Sequence, residues 1–478
     1  MSLLYQQLAA DIEKLIREGV FRDGERLPGV RALSRQFRVS VSTVLQAHQL
    51  LEARGLVCAR ERSGYYACLN HGAEMLSVRT SRPRKVAVSD MDLTLELCSR
   101  EDSDEVPLGG AIPHASLLPV RQIQQALLWA ARQSNDLVEY AFPGKEPLRR
   151  QLAQRMANIG VVCSTEDILV TNGAQEAILL ALRALTRPGD IVAVEAPSFP
   201  GVLQALSLRG LKAIEIPSRK GEGISLEALE MALDQWPVKA CIVVTNHSNP
   251  LGNRMSDERK KALVRMLEAA SVPLIEDDIY GDLGHDGERP RPAKVFDRTG
   301  NVIYCSSFSK TVLPSLRIGW VVPGKHHDLV SKHKYFSNLA TASLPQLAVA
   351  HFLEQGSYDR ALRQVRPIYR TLCQQFRDAI LRYFPEGTIV SDPVGGFVLW
   401  VELPESISGK DLAMRARDRG IHVAPGRIFS VSGRFDHCLR INAANPWTRQ
   451  VEDALKTLGE LALESVPEAP SLTIPEPA

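Results

Sequence analysis

Apolar residues near the N-terminus recur at helical spacing, and they predict three short helices. The first covers about residues 3–18. The second opens at Leu27-Pro28-Gly29 and ends near Arg38, and the third runs from its N-cap Ser40 to Arg54. Because the turn between the second and third helices is short, the pattern is typical of a helix-turn-helix.

A β-hairpin is predicted directly after the third helix, because two runs of alternating pattern, residues 57–60 and 65–68, flank a turn that ends in Gly64. At the start of the third helix, Ser42 and Thr43 carry hydroxyls that can reach phosphates or base edges from a major groove. This order of elements favours a winged helix-turn-helix DNA-binding domain over residues 1–69. Similar helical triads also pack domains that do not touch DNA, and first-turn hydroxyls are common in such helices.

Further along the chain, short apolar runs alternate with helical segments, which predicts a mostly parallel sheet with helices on both faces. The fold class is therefore α/β, and ligands are expected at the carboxyl ends of the strands. The helices include residues 174–186 and 257–270. The predicted strands are residues 168–171, 191–194, 240–244, 273–275 and 302–305.

Two stretches of the chain lack the pattern of a packed domain. Residues 70–107 contain a proline-broken basic run and an acidic run, which indicates a linker. Residues 465–478 contain four prolines and few groups that could pack, which indicates a disordered tail. The second domain is therefore predicted to cover residues 108–464.

Composition changes this picture little. With 478 residues, 45% hydrophobic and 23% charged, the chain is typical of globular proteins, and its net charge of +2 excludes a general affinity for polyanions. Residues 1–69 carry ten basic and seven acidic residues, so contact with nucleic acid is expected at that end. The eight cysteines lack Cys-x-x-Cys spacing, so no metal is expected. No apolar run is long enough to span a membrane, and we expect a cytoplasmic protein.

Lys310 is the residue with the most specific chemistry, because lysine amines form Schiff bases with aldehydes and hold pyridoxal 5'-phosphate in this way. Asp277 ends a predicted buried strand, where a carboxylate needs a positive partner such as a protonated pyridine nitrogen. Tyr280 could bond the hydroxyl of the same ring. A lysine in an isolated Ser-x-x-Lys would more simply face solvent from a loop, and its neighbours decide against that interpretation.

Other candidate residues follow the remaining strands. The amides of Ala174 and Gln175 begin a helix and could bind a phosphate, although taken alone the pattern favours a bare structural turn. Ser307 and Arg317 could hold the same phosphate. For the ring itself, Phe199 could stack on it and Asn249 could donate to its phenolate oxygen; a core phenylalanine and a turn asparagine are the simpler alternatives.

The N-terminal residues resemble the GntR family of winged-helix regulators. The resemblance rests on Leu27 to Arg31, on Val39-Ser40 and on Gly64. It implies that Arg31 contacts the DNA backbone, that the helix starting at Ser40 recognises bases in double-stranded DNA, and that Gly64 lets the wing enter a minor groove. Many members of the family carry arginine two residues after the valine, where this chain has Val41.

Residues from about 108 to 462 resemble the class I/II aminotransferases, which have the fold type I architecture of pyridoxal-phosphate enzymes, with a smaller α+β subdomain. The resemblance implies that Lys310 forms the internal aldimine and that Arg440 binds the α-carboxylate of a substrate. It also implies that Tyr140 reaches the phosphate of a neighbouring subunit, which makes the protein a homodimer. The matching motifs are Tyr140-x-x-x-Gly144, Asn172-Gly173-Ala174-Gln175, Pro197-x-Phe199-Pro200-Gly201, Asn249-Pro250, Asp277-x-x-Tyr280, Ser307-Phe308-Ser309-Lys310, Arg317 and Leu439-Arg440-Ile441.

The whole chain resembles the MocR subfamily of GntR regulators, in which a winged helix precedes an aminotransferase-like domain. We expect a transcription regulator that senses an amino compound, or the cofactor itself, through aldimine exchange at Lys310. The alternative is an active aminotransferase that carries a DNA-binding appendage. A third hypothesis is that the cofactor is purely structural.

Overall fold

The computed structural model describes residues 4–17, 21, 25–37, 39–53, 56–60, 64–67, 82–85, 105–133 and 138–465. The chain divides into two compact units, residues 1–79 and 80–478. Most of the predicted linker, residues 70–107, and nearly all of the predicted tail, residues 465–478, lie outside the described residues.

The small unit has the predicted winged helix-turn-helix fold. Its helices pack through one apolar cluster to which Leu8, Ile12, Leu33, Val44 and Leu51 contribute. The two strands pair as an antiparallel hairpin, and the Leu27 amide donates to the Tyr65 carbonyl at 2.9 Å. Its elements are α1 (Leu4–Arg17), α2 (Val30–Phe37), α3 (Val41–Ala53), β1 (Val57–Arg60) and β2 (Gly64–Ala67).

The large unit contains sheets covered by helices. Its strands are β3 (Arg84–Lys85), β4 (Val106–Pro107), β5 (Leu169–Thr171), β6 (Ile191–Ala196), β7 (Lys212–Arg219), β8 (Gly223–Ile224), β9 (Val238–Val243), β10 (Leu274–Asp277), β11 (Val302–Ser307), β12 (Gly319–Val322), β13 (Ile389–Val390), β14 (Val398–Glu402), β15 (Ile421–His422), β16 (Ala424–Pro425) and β17 (Cys438–Asn442).

The helices of the large unit connect and cover these strands. They are α4 (Val120–Ala131), α5 (Glu146–Asn158), α6 (Ala174–Leu185), α7 (Pro200–Leu208), α8 (Leu226–Gln235), α9 (Asp257–Ala269), α10 (His327–Asn338), α11 (Ser343–Glu354), α12 (Ser357–Tyr383), α13 (Gly409–Arg417) and α14 (Arg449–Glu464). Short 3₁₀ helices occur at Ala115–Leu117, Gly281–Leu283, Ala293–Phe296, Pro314–Leu316, Gly324–His326 and Gly426–Phe429. Within the described parts of the chain, no helix is both long and apolar enough to cross a bilayer.

The main sheet has the order β3-β7-β6-β9-β10-β11-β12-β5, with β8 paired to β7. Strands β7, β6, β9, β10 and β11 run parallel, whereas β12 is antiparallel to both of its neighbours. Alternate residues of β6 face different cores: Val192 and Val194 pack with α6 and α7, and Ile191 and Ala193 pack with α8 and α9. Helices therefore cover both faces, which confirms the predicted α/β class.

The predicted smaller α+β subdomain is also present. Its sheet has the order β13-β14-β17-β16, and residues of α12, α13 and α14 share one apolar cluster with it. Strand β15 pairs with β4 rather than with this sheet.

Two segments of the predicted linker are strands of the large unit, since Arg84–Lys85 pairs with β7 and Val106–Pro107 pairs with β15. Each strand is only two residues long, so neither leaves an alternating pattern that the sequence could show. The strands predicted from the sequence also did not include β7, because Glu215 and Pro217 interrupt its apolar run.

Candidate functional site

The candidate site lies where the parallel strands of the main sheet end. Strand β10 pairs in parallel with β9 and β11, so Asp277 at the end of β10 and the loop after β11 lie at the same edge. Lys310 belongs to that loop, three residues beyond Ser307. The carboxyl ends of parallel strands are where open α/β sheets bind ligands.

A backbone carbonyl holds the Lys310 side chain inside the site. Its Nζ donates to the carbonyl of Ala111 at 2.7 Å. Burial, and then the cations Arg440 and Arg317, together lower the pKa of the Lys310 amine to about 8, while Asp277 opposes them. An amine with a pKa of about 8 is about one-tenth neutral at pH 7 and about half neutral at pH 8, and the neutral form attacks aldehydes.

Asp277 and Tyr280 are buried polar residues, and each has a side-chain oxygen without a hydrogen bond of good geometry. Asp277 is 4% exposed, and no donor among the described residues reaches its Oδ1; the Tyr280 hydroxyl forms no hydrogen bond within ordinary limits, although the Asn249 side chain lies beside it. Burial and then the Asp278 charge raise the pKa of Asp277 to about 7, although Lys310 counteracts the effect. Burial also raises the pKa of Tyr280, while the Arg440 charge lowers it. Buried atoms of this kind call for a ligand that supplies a cation and a hydrogen bond.

The neighbouring Asp278 has a different role, because its carboxylate is satisfied within the protein. It accepts from Arg289 Nη2 at 2.5 Å, from the Tyr304 hydroxyl at 2.9 Å and from Asn246 Nδ2 at 2.9 Å. Of the two adjacent aspartates, only Asp277 therefore retains an oxygen without a hydrogen-bond partner. This difference supports Asp277 as the partner of a ligand.

An anion site is formed at the N-terminus of α6. The helix begins after Gly173, and no side chain caps it, so its first amides remain available. Arg317 lies beside them, with Nη2 donating to the Asn172 carbonyl at 3.0 Å and Nη1 to Ser309 Oγ at 3.3 Å. Gly173 has φ of +81°, and a Cβ there would collide with the Arg317 guanidinium, so glycine is required at this position.

Serine hydroxyls complete the anion site. Ser307 Oγ lies 2.7 Å from Ser309 Oγ, and Ser307 Oγ also donates to the Ile318 carbonyl at 3.0 Å. Sequence reasoning named Ser307 and Arg317 but not Ser309. The Ser-x-Ser-Lys spacing was the available signal for Ser309, because the two serines flank one residue at the end of β11.

Phe199 and Gln175 shape the wall beside the anion site. A Cβ on Gly201 would collide with the Phe199 ring and lie 2.6 Å from Gln175 Oε1, so both side chains lie close over that glycine. Gln175 Nε2 donates to the Gly201 carbonyl at 2.7 Å. Through this hydrogen bond, Gln175 connects the start of α6 to the loop that contains Phe199, and that loop positions the aromatic ring.

Arg440 lies on β17 and is 6% exposed. Its Nη1 donates to Asn249 Oδ1 at 3.3 Å, and its Nη2 donates to the Gly109 carbonyl. The guanidinium carbon lies 5.1 Å from the Phe429 ring centroid, within cation–π range. A buried guanidinium that is oriented in this way can bind a carboxylate with two parallel hydrogen bonds.

Sequence reasoning missed the segment that orients both cations of the site. Ala111 accepts from Lys310, and Gly109 accepts from Arg440, although the pairs are 199 and 331 positions apart. Both acceptors are backbone carbonyls, so the residue types gave no signal. Tyr140 is 81% exposed, and the structure places it on the surface rather than in this cluster.

In the small unit, the predicted DNA-contacting hydroxyls bond one another. Ser40 caps α3 by accepting from the Thr43 amide at 3.1 Å, and its Oγ lies 2.7 Å from both Ser42 Oγ and Thr43 Oγ1. The Arg31 side chain is outside the described residues, as are residues 61–63 of the wing. Gly64 is the first residue of β2.

The residues of the large unit fit pyridoxal 5'-phosphate. A lysine amine of lowered pKa suits an aldehyde, a buried carboxyl with one oxygen left without a partner suits a ring nitrogen, and an uncapped helix start beside Arg317 suits a phosphate. The fold and the site thus define a pyridoxal-phosphate-binding protein of fold type I.

Comparison with known proteins identifies both units. Residues 110–458 match the family described as aminotransferase class I and II, and residues 4–66 match bacterial regulatory proteins of the gntR family. The uncharacterized HTH-type transcriptional regulator YjiR of Escherichia coli is 39% identical over 95% of this chain and 98% of its own.

Solved structures agree with this assignment. A multiple substrate aminotransferase from Thermococcus profundus is 29% identical with a TM-score of 0.72, over 79% of this chain and 95% of that one. LysN, an α-aminoadipate aminotransferase from Thermus thermophilus complexed with N-(5'-phosphopyridoxyl)-L-leucine, is 27% identical with a TM-score of 0.72. The match covers 80% of this chain and 96% of the LysN chain. The chain belongs to the class I and II aminotransferase family, its N-terminal unit matches the gntR family, and the two units together give it the architecture of the MocR subfamily of GntR regulators. Its cofactor is pyridoxal 5'-phosphate.

Proposed function

We propose that this protein is a DNA-binding transcription regulator whose large unit binds pyridoxal 5'-phosphate at Lys310 and responds to a small amino compound or to the cofactor itself. The observation that carries the proposal is the coexistence in one chain of a winged helix-turn-helix and a site in which the buried Asp277 Oδ1 has no hydrogen-bond partner among the described residues. Regulator relatives match 95% and 96% of the chain, whereas aminotransferase relatives match 73% to 80% of it.

When bound, the cofactor supplies an aldehyde that can exchange between the lysine amine and the amine of another compound. Lys310 provides the competing amine, and Ala111 directs its Nζ through the 2.7 Å hydrogen bond. Asp277 binds the ring nitrogen, while Tyr280 and Asn249 bond the ring oxygen. Phe199 stacks on the ring.

The remaining residues bind the phosphate of the cofactor and the carboxylate of the amino compound. The amides of Ala174 and Gln175, with Ser307 and Arg317, bind the phosphate. Arg440 binds the carboxylate of an amino acid, since the Gly109 carbonyl and Asn249 already fix the direction of its guanidinium. Ligands of this pocket are therefore expected to be amines that carry a carboxylate.

Assembly and location complete the proposal. The protein acts as a cytoplasmic homodimer in which Tyr140 reaches the phosphate bound by the partner subunit. This role is consistent with its 81% exposure in the single chain. The domains are residues 1–69 for DNA, 70–107 as a linker that contributes the short strands β3 and β4 to the large unit, 108–464 for the cofactor, and 465–478 as a tail. DNA contacts are made by Arg31, Ser40, Ser42, Thr43 and Gly64.

A DNA retardation experiment tests the proposal. Full-length protein, loaded with pyridoxal phosphate, is mixed with DNA selected by the same protein from a random duplex library, with and without a panel of amino acids. An effector must favour one state of the protein, and couplings of roughly 5-fold to 150-fold in DNA affinity are typical. We expect one amino compound to change the affinity of the wild type and not of Lys310→Ala. If no duplex is bound while amino groups are transferred to keto acids, the enzyme hypothesis replaces this one.

A further inference from the structure

Two apolar side chains of α3 face solvent near its start. Val41 is 45% exposed and Leu45 is 39% exposed, and their spacing of four residues places them on one face of the helix. The core of the small unit is supplied instead by Val44, Ala47 and Leu51, which are fully buried. Val41 and Leu45 are therefore not needed to fill that core, and they form a small apolar surface that a partner could cover.

The polar groups of the same helix restrict what it can recognise. The Ser40, Ser42 and Thr43 hydroxyls are bonded to one another at the helix start. No lysine or arginine occurs anywhere in Val41–Ala53, so the helix lacks the side chains that most often recognise guanine. Beside these hydroxyls, the exposed groups described on the first two turns of the helix are the Val41 and Leu45 methyls and the amide of Gln46.

We propose that Val41 and Leu45 recognise thymine through its C5-methyl group in the major groove, with Gln46 directed to adenine. The inference rests on the proposed DNA-binding function and deepens it. DNA is the occupant that the molecule favours, because α3 is the second helix of the helix-turn-helix and residues 1–69 carry a net positive charge. The thymine methyl is the one apolar group that the major groove presents, and glutamine pairs bidentately with adenine.

Deoxyuridine provides a direct test, because it differs from thymidine only by the methyl group. The full-length protein first selects its preferred duplex from a random library at low salt. The selected duplex is then synthesised with thymidine or with deoxyuridine throughout, and both affinities are measured. Burying one methyl group corresponds to about fourfold in affinity, so we expect wild-type protein to bind the deoxyuridine duplex at least about fourfold more weakly.

Variants assign this effect to the two residues. Both side chains are exposed, so the double variant Val41→Ala/Leu45→Ala should fold normally, and it should bind the two duplexes equally. The matched control Gln7→Ala, at an exposed position of α1, should keep the wild-type preference. Equal binding of both duplexes by the wild type overturns the inference, and so does a preference that survives in the double variant. If the protein binds no duplex at all, the proposed function fails and this inference falls with it.

Discussion

Replacing Asp277 by asparagine should stabilise the cofactor-free protein, even though the residue belongs to the proposed site. Burial, together with Asp278, raises the pKa of the Asp277 carboxyl from its ordinary 3.8 to about 7. A carboxyl with a raised pKa binds its proton more tightly in the folded protein than in the unfolded chain. Folding is therefore penalised as the pH rises above the unfolded pKa of 3.8, and the penalty is complete above about pH 7.

The magnitude follows from the two pKa values. Each pH unit between them corresponds to about 1.4 kcal/mol, so the penalty is on the order of 4 kcal/mol at pH 8 and less than about half of that at pH 5. Asp277→Asn removes the charge and should recover a large part of this free energy at pH 8. In the cofactor-loaded protein the sign should reverse, because the ring nitrogen loses its negative partner.

Urea unfolding of the cofactor-free protein measures this effect. All five tryptophans belong to the large unit, so their fluorescence reports its unfolding. Asp297→Asn is the matched control, because it should change the free energy of unfolding in the opposite direction. Asp297 accepts from Lys294 Nζ at 2.9 Å, and the pKa of its carboxyl is lowered by that cation against the cost of burial. Losing Asp297 should therefore destabilise the protein, most strongly above about pH 4. If Asp277→Asn also destabilises at pH 8, or changes stability equally at pH 5 and pH 8, the reasoning is refuted.

Three further predictions concern the ligands of the site. The rate at which Lys310 captures pyridoxal phosphate, measured by stopped-flow absorbance, should rise about tenfold from pH 6 to pH 7 and level off above pH 8. The reason is that the Lys310 amine, with a pKa of about 8, becomes neutral over that range. A rate that still rises about tenfold per pH unit at pH 9 would contradict this prediction. Arg317→Ala should weaken equilibrium binding of pyridoxal phosphate roughly tenfold to a hundredfold but leave that of phosphate-free pyridoxal unchanged, and an equal loss for both would indicate a structural role. Arg440→Gln should abolish the preference for an amino acid over its decarboxylated amine in spectral titrations, without releasing the cofactor; a retained preference would exclude the carboxylate role.

The predicted strands of the main sheet were recognisable because both of their faces are buried. Residues 191–194 and 302–305, for example, are continuous apolar runs that lie within β6 and β11. Strand β7 escaped prediction because Glu215 interrupts it. That carboxylate is buried, and it accepts from Ser430 Oγ at 2.6 Å and from the Val431 amide at 2.9 Å. A contact across 215 positions thus accommodates a carboxyl group inside a buried strand, and no local pattern encodes it.

The residues of the candidate site also form two groups, those that the sequence could predict and those that it could not. Lys310, Asp277 and Arg317 were predictable because their side chains carry the chemistry that an aldehyde, a ring nitrogen and a phosphate require. The carbonyls of Gly109 and Ala111 were not, because every residue has a carbonyl and only the fold brings these two to the cations. The sequence thus predicts the reactive groups, while the folded chain decides how they are oriented.

Borohydride trapping tests the central claim most directly. Protein incubated with pyridoxal phosphate is reduced, digested and analysed by mass spectrometry for the phosphopyridoxyl group. We expect the modification on the peptide that contains Lys310, with none on that peptide after prior reaction with hydroxylamine. Modification spread over surface lysines, with Lys310 unmodified, would contradict the account.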